Sequence, residues 1–373
     1  HKNKDIKLET DLDAGFAEID RHRAVFINGF FSEEYSNLGG LDTEVDLIPL
    51  EEAIFRKPEW VSKYLCQISS DSDDPLVALN TSLMSGGFAL RVGEGIKLEK
   101  PIEFVFVSHG DQPSSVMARA LVVIEEGAEA SIFETHLEGQ APSHLNLVSE
   151  ITIADRAQLS VAKVQFEGAN SAHLSTRFIQ MGEEAGLNDF ALNLGSDMTR
   201  NQTHLELDGE NSEANLSGSY ILSRRAHADT TLVVDHKVPN CVSKELFKGV
   251  LGDTSTGVFQ GKIVVHDDAQ HTDGQMMTQG LLLSEEAHFY TKPELEIYAD
   301  DVPCAQGATT GQIDEEMVFY MMSRGIPPEE AKAMIIQAFI AEAIETMTCE
   351  DVQEQFSTLV SETLSRLSEP RDE

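Results

Sequence analysis

A repeat of 28 to 29 residues constrains this chain more than any other feature of its sequence. Each copy follows an acidic or glycine-containing turn and reads alanine, any residue, then a small or apolar residue. The copies begin at Ala128, Ala157, Ala185 and Ala214, with spacings of 29, 28 and 29 residues, and Ala269 follows 55 residues later. A period this regular is typical of a solenoid, in which each coil buries its apolar face against its neighbours.

The residues within each period favour strands. From Phe88 onward apolar residues alternate with a period of two, whereas helices have a period of 3.6 residues. We therefore predict a mainly β fold with a parallel β-helix over residues 88–311. An all-β sandwich also has short strands at regular intervals, and it remains the alternative at this point.

The region before the solenoid, residues 1–87, is predicted to be mixed and partly helical. Residues 24–31 form a short apolar segment typical of one strand, and residues 58–66 begin with a proline that suits the first turn of a helix. A second helix is predicted after Asp74, whose side chain can cap it, with Pro75 in its first turn.

The region after the solenoid, residues 312–373, is predicted to be helical. Asp314 can cap the first helix, and Pro327 with Pro328 restarts the chain. The next helix carries an apolar stripe that includes Ala331, Met334, Ile335, Ala338 and Phe339. Such a stripe either covers the end of the solenoid or docks a partner protein, and the residues alone leave both roles open.

Charge excludes several classes of partner. The chain has 27 Lys and Arg against 64 Asp and Glu, a formal net charge of −37, which repels phosphate backbones and anionic lipid surfaces. We therefore expect neither nucleic acid nor membrane as a partner, and no run of 18 apolar residues is present. Four cysteines without metal-finger spacing indicate a reducing, cytoplasmic setting.

Motifs for stand-alone catalysis are missing from the sequence. It has no GxxxxGK[ST] phosphate loop, no HExxH helix, no CxxC pair and no GxSxG elbow. We therefore predict that the chain is not an enzyme.

The most informative single stretch is Lys292–Gly311, the last strand-like segment before the helices. Apolar Leu295, Ile297 and Val302 alternate along it and predict one buried face. Two acids, a cysteine and a run of small residues then follow: Asp300, Asp301, Cys304, Gly307 and Ala308. Small side chains allow another backbone to approach closely, so this stretch is a candidate interface.

Cys304 is also the leading candidate for a soft-metal ligand, because thiolates bind iron well. A buried apolar role for this cysteine is the alternative. His271 is a weaker candidate, since most surface histidines bind no metal.

Several motifs of this chain, in order, resemble those of the SufB/SufD family of iron–sulfur cluster assembly proteins, and the SufD type more than the SufB type. They are DHKVPNC (235–241), HTDGQM (271–276), ADDVPC (299–304) and MSRGIPPEEAKAMII (322–336). The resemblance covers most of the chain, roughly residues 24–348. Two positions depart from the pattern, since Gln306 stands where the family usually has His and His271 where it usually has Lys.

The resemblance implies a right-handed β-helix flanked by helical regions, with a family leader that is shortened here. It implies a scaffold without turnover of its own, paired with a SufB-like subunit near Cys304 and with a SufC-like ATPase through the C-terminal helices. It further implies a transient iron–sulfur cluster at the SufB interface and none held tightly by the chain alone. Two other functions stay open: a secreted-type carbohydrate-active β-helix enzyme, and a SufB-like homodimeric scaffold. Self-association in isolation is also possible.

Overall fold

A computed structural model describes residues 8, 10–139 and 141–368 of the chain. The fold is a parallel β-solenoid of about eight turns with a few helices, 48% strand and 18% helix. The prediction of a mainly β, parallel β-helix is therefore confirmed, and the sandwich alternative is wrong. Among the described residues no helix has both the length and the apolar character needed to cross a membrane.

Each coil of the solenoid contributes two strands, one to each of two facing sheets, which we call sheet A and sheet B. The strands in chain order are β1 (His22–Ile27), β2 (Phe30–Asn37), β3 (Val45–Pro49), β4 (Gly86–Val92), β5 (Ile102–Val107), β6 (Ser114–Ile124), β7 (Glu129–Leu137), β8 (Ser143–Ile153), β9 (Gln158–Phe166), β10 (Ser171–Met181), β11 (Gly186–Asn193), β12 (Met198–Leu207), β13 (Glu213–Leu222), β14 (His227–His236), β15 (Val242–Leu251), β16 (Thr256–Val265), β17 (Asp273–Leu282), β18 (His288–Ile297) and β19 (Ala305–Gln312). Sheet A has the order β2-β1-β5-β7-β9-β11-β13-β15-β17-β19, and sheet B has the order β3-β4-β6-β8-β10-β12-β14-β16-β18.

The sequence repeat is visible as a column of small buried residues where each coil enters sheet A. The amides of Gln158 and Gly186 donate to the carbonyls of Ala128 and Ala157, at 2.8 and 2.9 Å. The fourth copy departs from this column, because Ala214 pairs with Leu187, two residues out of step with the repeat. The column then continues through Ser212, Cys241 and Thr272, which are fully buried. Small side chains at the turn are therefore what the repeat encodes.

The two ends of the solenoid differ. At the amino-terminal end each sheet finishes on an antiparallel strand, β2 against β1 and β3 against β4. Residues 24–31, predicted as one strand, instead form parts of β1 and β2, because Asn28 and Gly29 turn the chain with positive φ values of 51° and 84°. At the carboxy-terminal end β18 and β19 are the last strands of their sheets, and most of their residues are half-buried or exposed.

In the part of the chain that the structure describes, six helices lie outside the sheets: α1 (Leu50–Arg56), α2 (Glu59–Tyr64), α3 (Pro75–Leu83), α4 (Glu315–Ser323), α5 (Pro328–Ile344) and α6 (Glu350–Ser368). The helices α1 to α3 pack on sheet B, with Ala53 and Val61 against Leu121 and Val123. The helices α5 and α6 pack on the outer face of sheet A, where Phe356 meets Phe190 and Phe16. The C-terminal stripe thus covers a side of the solenoid and leaves its end open.

Both predicted aspartate caps are confirmed. The Asp74 carboxylate accepts from the amide of Leu76 at 2.7 Å, and the Asp314 carboxylate accepts from the amide of Glu316 at 2.9 Å. Each cap satisfies an amide that has no partner within its helix.

Candidate functional site at the open end

Cys304 lies at the entrance to the last strand, on the side that faces the space between the sheets, which we call the lumen. A Cβ placed on Gly274 would lie 3.5 Å from the Cys304 sulfur, so the thiol sits just beyond Gly274 in the lumen. The sulfur is 3.8 Å from the carbonyl oxygen of Thr272, and the side chain is half-buried against the core. The cysteine therefore has the packing of a core residue on one side and the open end of the solenoid on the other.

Gln306 follows two residues later on β19, and its side chain points the same way because strand residues alternate. It pairs with Met276 of β17, which in turn pairs with Glu245 of β15. Met276 and Glu245 are each only 2% exposed, whereas Gln306 is exposed because no later coil covers it. These three residues lie along a groove of about 320 Å³ that Thr346 also lines.

Glu245 was not predicted as a site residue. Neither of its carboxylate oxygens has a hydrogen-bond partner. Burial raises the pKa of Glu245 to about 8, and the nearby Ser243 hydroxyl offsets part of the rise. Ser243 itself bonds to His236, with 2.9 Å between Oγ and Nε2. A carboxyl group in this setting holds its proton near neutral pH.

The thiol of Cys304 is also partly buried and lies near Glu245. Burial raises the pKa of Cys304 above its ordinary value, and the nearby carboxyls of Asp273 and Glu245 raise it further, against a lowering by the backbone of Gly274. In the isolated chain the group is therefore a thiol near neutral pH. Binding a soft metal would have to displace its proton.

The other predicted residues lie around the turn before β19. The His271 amide donates to the carbonyl oxygen of Asp301 at 2.9 Å, and its ring nitrogen Nδ1 is 3.3 Å from the Asp301 carboxylate. Both side chains are exposed, as is Asp300. Among the described residues, no group of three potential metal ligands within 4.8 Å of one another includes Cys304 or His271.

The segment Lys292–Gly311 agrees with its predicted small residues and its predicted buried face only in part. A Cβ on Gly307 would lie 2.7 Å from the methyl carbon of the flexible Met277 side chain, which would have to move, while Ala308 is exposed. Leu295 is half-buried, but Ile297, predicted to be buried, is 40% exposed. The reason is that β18 has a neighbouring coil on one side only.

The C-terminal helices α4 and α5 carry several exposed apolar side chains. The large ones are 44 to 72% exposed, and we call them the α4 patch: Met317, Phe319, Tyr320, Met322 and Met334. Among the other predicted residues, Pro327 is exposed and Ile335 is half-buried. Phe339 packs against the core of sheet A, and the Lys248 ammonium lies 4.5 Å from its ring centre.

A polar cluster in the middle of the lumen was missed by the sequence reasoning. Sheet A contributes Glu134, His136, Lys163 and Asp189, and sheet B contributes His173 and Arg177 from the opposite side. These six residues are buried, and Glu167, in the turn after β9, joins them. Arg177 binds both carboxylate oxygens of Asp189, at 2.7 and 2.8 Å.

Charges in this cluster compensate one another. Burial would raise the pKa of Glu134, but Lys163, His136 and Arg177 outweigh it and hold that pKa well below its ordinary value. Burial lowers the pKa of Lys163 to about 8, with Glu134 acting in the opposite sense. The signal for this cluster was polar alternation, as in Glu134-x-His136 and His173-x-Ser175-x-Arg177, which places all of these side chains on one face of their strands.

The chain is thus a two-sheet parallel solenoid with helices on both faces and a cysteine at the open end of its last strand. Comparison with known proteins identifies a single family. The profile described as "SUF system FeS cluster assembly, SufBD core domain" matches residues 106–339, and "SufBD protein N-terminal region" matches residues 4–104. The chain belongs to the SufBD family, whose members are subunits of the Suf system for iron–sulfur cluster assembly.

Three relatives illustrate the similarity. A SufBD family iron–sulfur cluster assembly protein of Synechocystis is 31% identical, covering 92% of this chain and 78% of the relative. The iron–sulfur cluster assembly protein SufD of Escherichia coli is 33% identical, covering 77% and 69%. SufD of Bacillus subtilis is 25% identical, covering 88% and 75%. The predicted family is confirmed, and these relatives give no support to the carbohydrate-active or SufB-like alternatives.

Proposed function

We propose that this chain is a SufD-like scaffold subunit without turnover of its own, which works in the cytoplasm with a SufB-like solenoid and a SufC-like ATPase. The observation that carries the proposal is the open last coil, where β18 and β19 leave the edges of both sheets unpaired beside Cys304. Family membership supports the choice of partners. Four free cysteines agree with a reducing compartment.

Pairing with a SufB-like subunit follows from the edge of β19. An unpaired strand offers amides and carbonyls to a second strand, and such pairing supplies main-chain hydrogen bonds. The segment Ala305–Thr310 carries no side chain larger than Gln306, so a partner backbone meets little steric resistance. The exposed Asp300 and Asp301 flank this edge and would contact the rim of the partner.

Within that interface Cys304 would face the nascent cluster, which is the cargo of the complex and not a resident cofactor. A thiol whose pKa is raised gives up its proton only when iron arrives, so the chain alone should hold a cluster weakly. Gln306 offers only an amide where the family usually has an imidazole, and it is a poor iron ligand. His271 is the weaker second ligand candidate, because its ring pairs with Asp301.

The first test substitutes Cys304, in the turn before β19, and Gln306, on β19 itself. We expect Cys304→Ala to lower the cluster content of the reconstituted three-subunit complex and Gln306→His to raise it or leave it unchanged. The measurement is visible absorbance under anaerobic conditions. Cys349→Ala, which removes an exposed thiol outside the solenoid, is the control. Full cluster assembly by Cys304→Ala together with a loss in Gln306→His would place the cluster elsewhere.

Docking of the SufC-like ATPase is proposed on the α4 patch and the adjoining start of α5 at Pro327. Five large apolar side chains exposed together exceed what a solvent-facing helix needs. On α5 the half-buried Phe339 packs against the core of sheet A, and Ile335, next to Met334, is also half-buried. Truncation at Pro327 is an unsuitable test, because it would also uncover the apolar residues of sheet A that α5 and α6 bury.

The second test therefore uses point substitutions. We expect Phe319→Glu combined with Met334→Glu to abolish co-purification of the ATPase, because both side chains lie in the patch, while the SufB-like subunit stays bound. Phe55→Glu is the matched control, since Phe55 is 88% exposed but lies on α1 against the other sheet. Undiminished ATPase recovery with the double variant would contradict docking at this surface.

A further inference from the structure

We propose that His136, His173 and Glu167 form a binding site for a borderline divalent metal, such as ferrous iron or zinc, inside the lumen of the solenoid. The site lies on β7, β10 and the turn after β9, several coils away from Cys304. It is independent of the function proposed above and would be occupied with or without partner subunits.

The geometry of the three side chains brings their donor atoms together. One ligand atom from each lies within 4.8 Å of the other two. The His173 Nδ1 atom is 2.9 Å from a Glu167 carboxylate oxygen, and the centres of the two imidazole rings are 4.5 Å apart. Neighbouring ligands on one such metal are separated by about 3 Å, because each bond is about 2.0 to 2.2 Å long. Small side-chain rotations would close the remaining gap.

An unpartnered nitrogen gives independent support. His136 is 1% exposed, and its Nδ1 atom has no hydrogen-bond partner. The other ring nitrogen, Nε2, is 2.6 Å from the Glu134 carboxylate. Metal-binding histidines characteristically bond a carboxylate through one nitrogen, which orients the ring and leaves the other nitrogen for the metal. Without a ligand, a buried nitrogen of this kind costs free energy.

The formal charge of the surroundings favours a cation. Three buried carboxylates, on Glu134, Glu167 and Asp189, face two basic side chains, Lys163 and Arg177. Counting the imidazoles as neutral, the cluster carries one excess negative charge. The Lys163 ammonium is 2.8 Å from His173 Nε2 but also 3.1 Å from the Asn201 side-chain oxygen. That oxygen would keep the ammonium hydrogen-bonded while a metal occupies the other side of the His173 ring.

The donor set selects the class of metal. Two imidazoles and one carboxylate suit iron, zinc and cobalt, whereas calcium and magnesium prefer oxygen ligands alone. No thiol belongs to the set, so a metal bound here differs in its spectrum from one bound by Cys304. Cobalt is therefore the probe of choice, since thiolate ligation adds an intense near-ultraviolet charge-transfer band.

The test measures cobalt binding by the full-length chain. Protein is expressed in cobalt-supplemented medium, purified without chelator and also dialysed against Co²⁺, and its metal content is measured by mass spectrometry. We expect about one cobalt per chain, with weak visible bands and no thiolate charge-transfer band. His136→Gln and His173→Gln should each lose at least about tenfold in affinity.

Matched controls separate ligand loss from misfolding. His236→Gln removes another fully buried imidazole with an unpartnered Nδ1, and Cys304→Ala removes the lumen thiol at the open end. Both should keep the cobalt. The inference is overturned if the parent chain holds no cobalt by either route, or if folded His136→Gln, judged by circular dichroism, retains it. If only Cys304→Ala lost its cobalt, the metal would be assigned to the open end of the solenoid instead.

Discussion

Individual buried ionisable residues set how this chain responds to pH, and Glu245 is the clearest case. Its carboxylate oxygens have no hydrogen-bond partner, and burial raises its pKa to about 8. A carboxyl whose pKa is raised on folding favours the folded state at low pH. That contribution is full below the ordinary value of about 4.5 and is lost as pH rises through about 8.

We therefore predict that Glu245→Gln makes the chain more stable at pH 8.5, by more than about 1 kcal/mol, and changes it little at pH 4.5. The amide keeps the shape and cannot ionise. Urea unfolding at the two pH values measures the difference. Glu213→Gln on β13, an exposed acid, should have little effect at either pH. Equal stabilisation at both pH values would show that ionisation of Glu245 is not the cause.

Sequence reasoning at this scale found the residues near the turn before β19 and missed the polar cluster in the middle of the lumen. Cys304 was recognised because its neighbours in sequence are acids and small residues. His136 and His173 are 37 residues apart and meet only because β7 and β10 lie in facing sheets. Their distance depends on strand register, and the shift at Ala214 shows that the repeat does not fix the register everywhere.

At the scale of elements, the C-terminal helices hold the outer face of sheet A. Phe356 of α6 is fully buried, with its ring centre 5.6 Å from that of Phe16 and 5.3 Å from that of Phe190. The predicted stripe of α5 is right only in part, because Ala331 is buried whereas Met334 and Ala338 are exposed. Which surface the helices cover could not be read, because an apolar stripe fits a solenoid end, a solenoid side and a partner equally well.

We predict that Phe356→Ala lowers the free energy of unfolding by about 3 to 5 kcal/mol, because it leaves a cavity between α6 and sheet A. Phe319→Ala, on a ring that is 72% exposed, should change it by less than about 0.5 kcal/mol. Chemical denaturation monitored by circular dichroism compares the two variants. Similar losses in both would mean that α4 is packed more tightly than its exposure indicates.

For the whole molecule, stability should vary along the solenoid axis. Each coil contacts only the coils beside it, so the last coil has half the neighbours of a central one. The family resemblance predicted the architecture, and the repeat predicted the stacking. The expected partner contact near Cys304 also required one end of the stack to stay open, and the helices do leave that end uncovered.

We predict that backbone amides of β18 and β19 exchange with solvent at least about tenfold faster than those of β9 and β11 in the isolated chain. Addition of the SufB-like subunit should strongly slow the exchange of the β19 amides, since those that point outward gain hydrogen-bond acceptors. Hydrogen exchange followed by mass spectrometry resolves these segments. Protection of β2 in place of β19 would show that the partner binds the opposite end.

The contrast between the two ends also limits how large an assembly this chain can build. A stack with two equivalent open ends polymerises head to tail into fibres, because every added molecule presents a fresh edge. Here the first coil finishes on short antiparallel strands, and the exposed acids Glu33 and Glu34 occupy the outermost one, β2. Two such open ends joined face to face would leave only the amino-terminal edges, β2 and β3, at the outside of the pair. Growth through the open strands would therefore stop at two molecules instead of continuing into a filament.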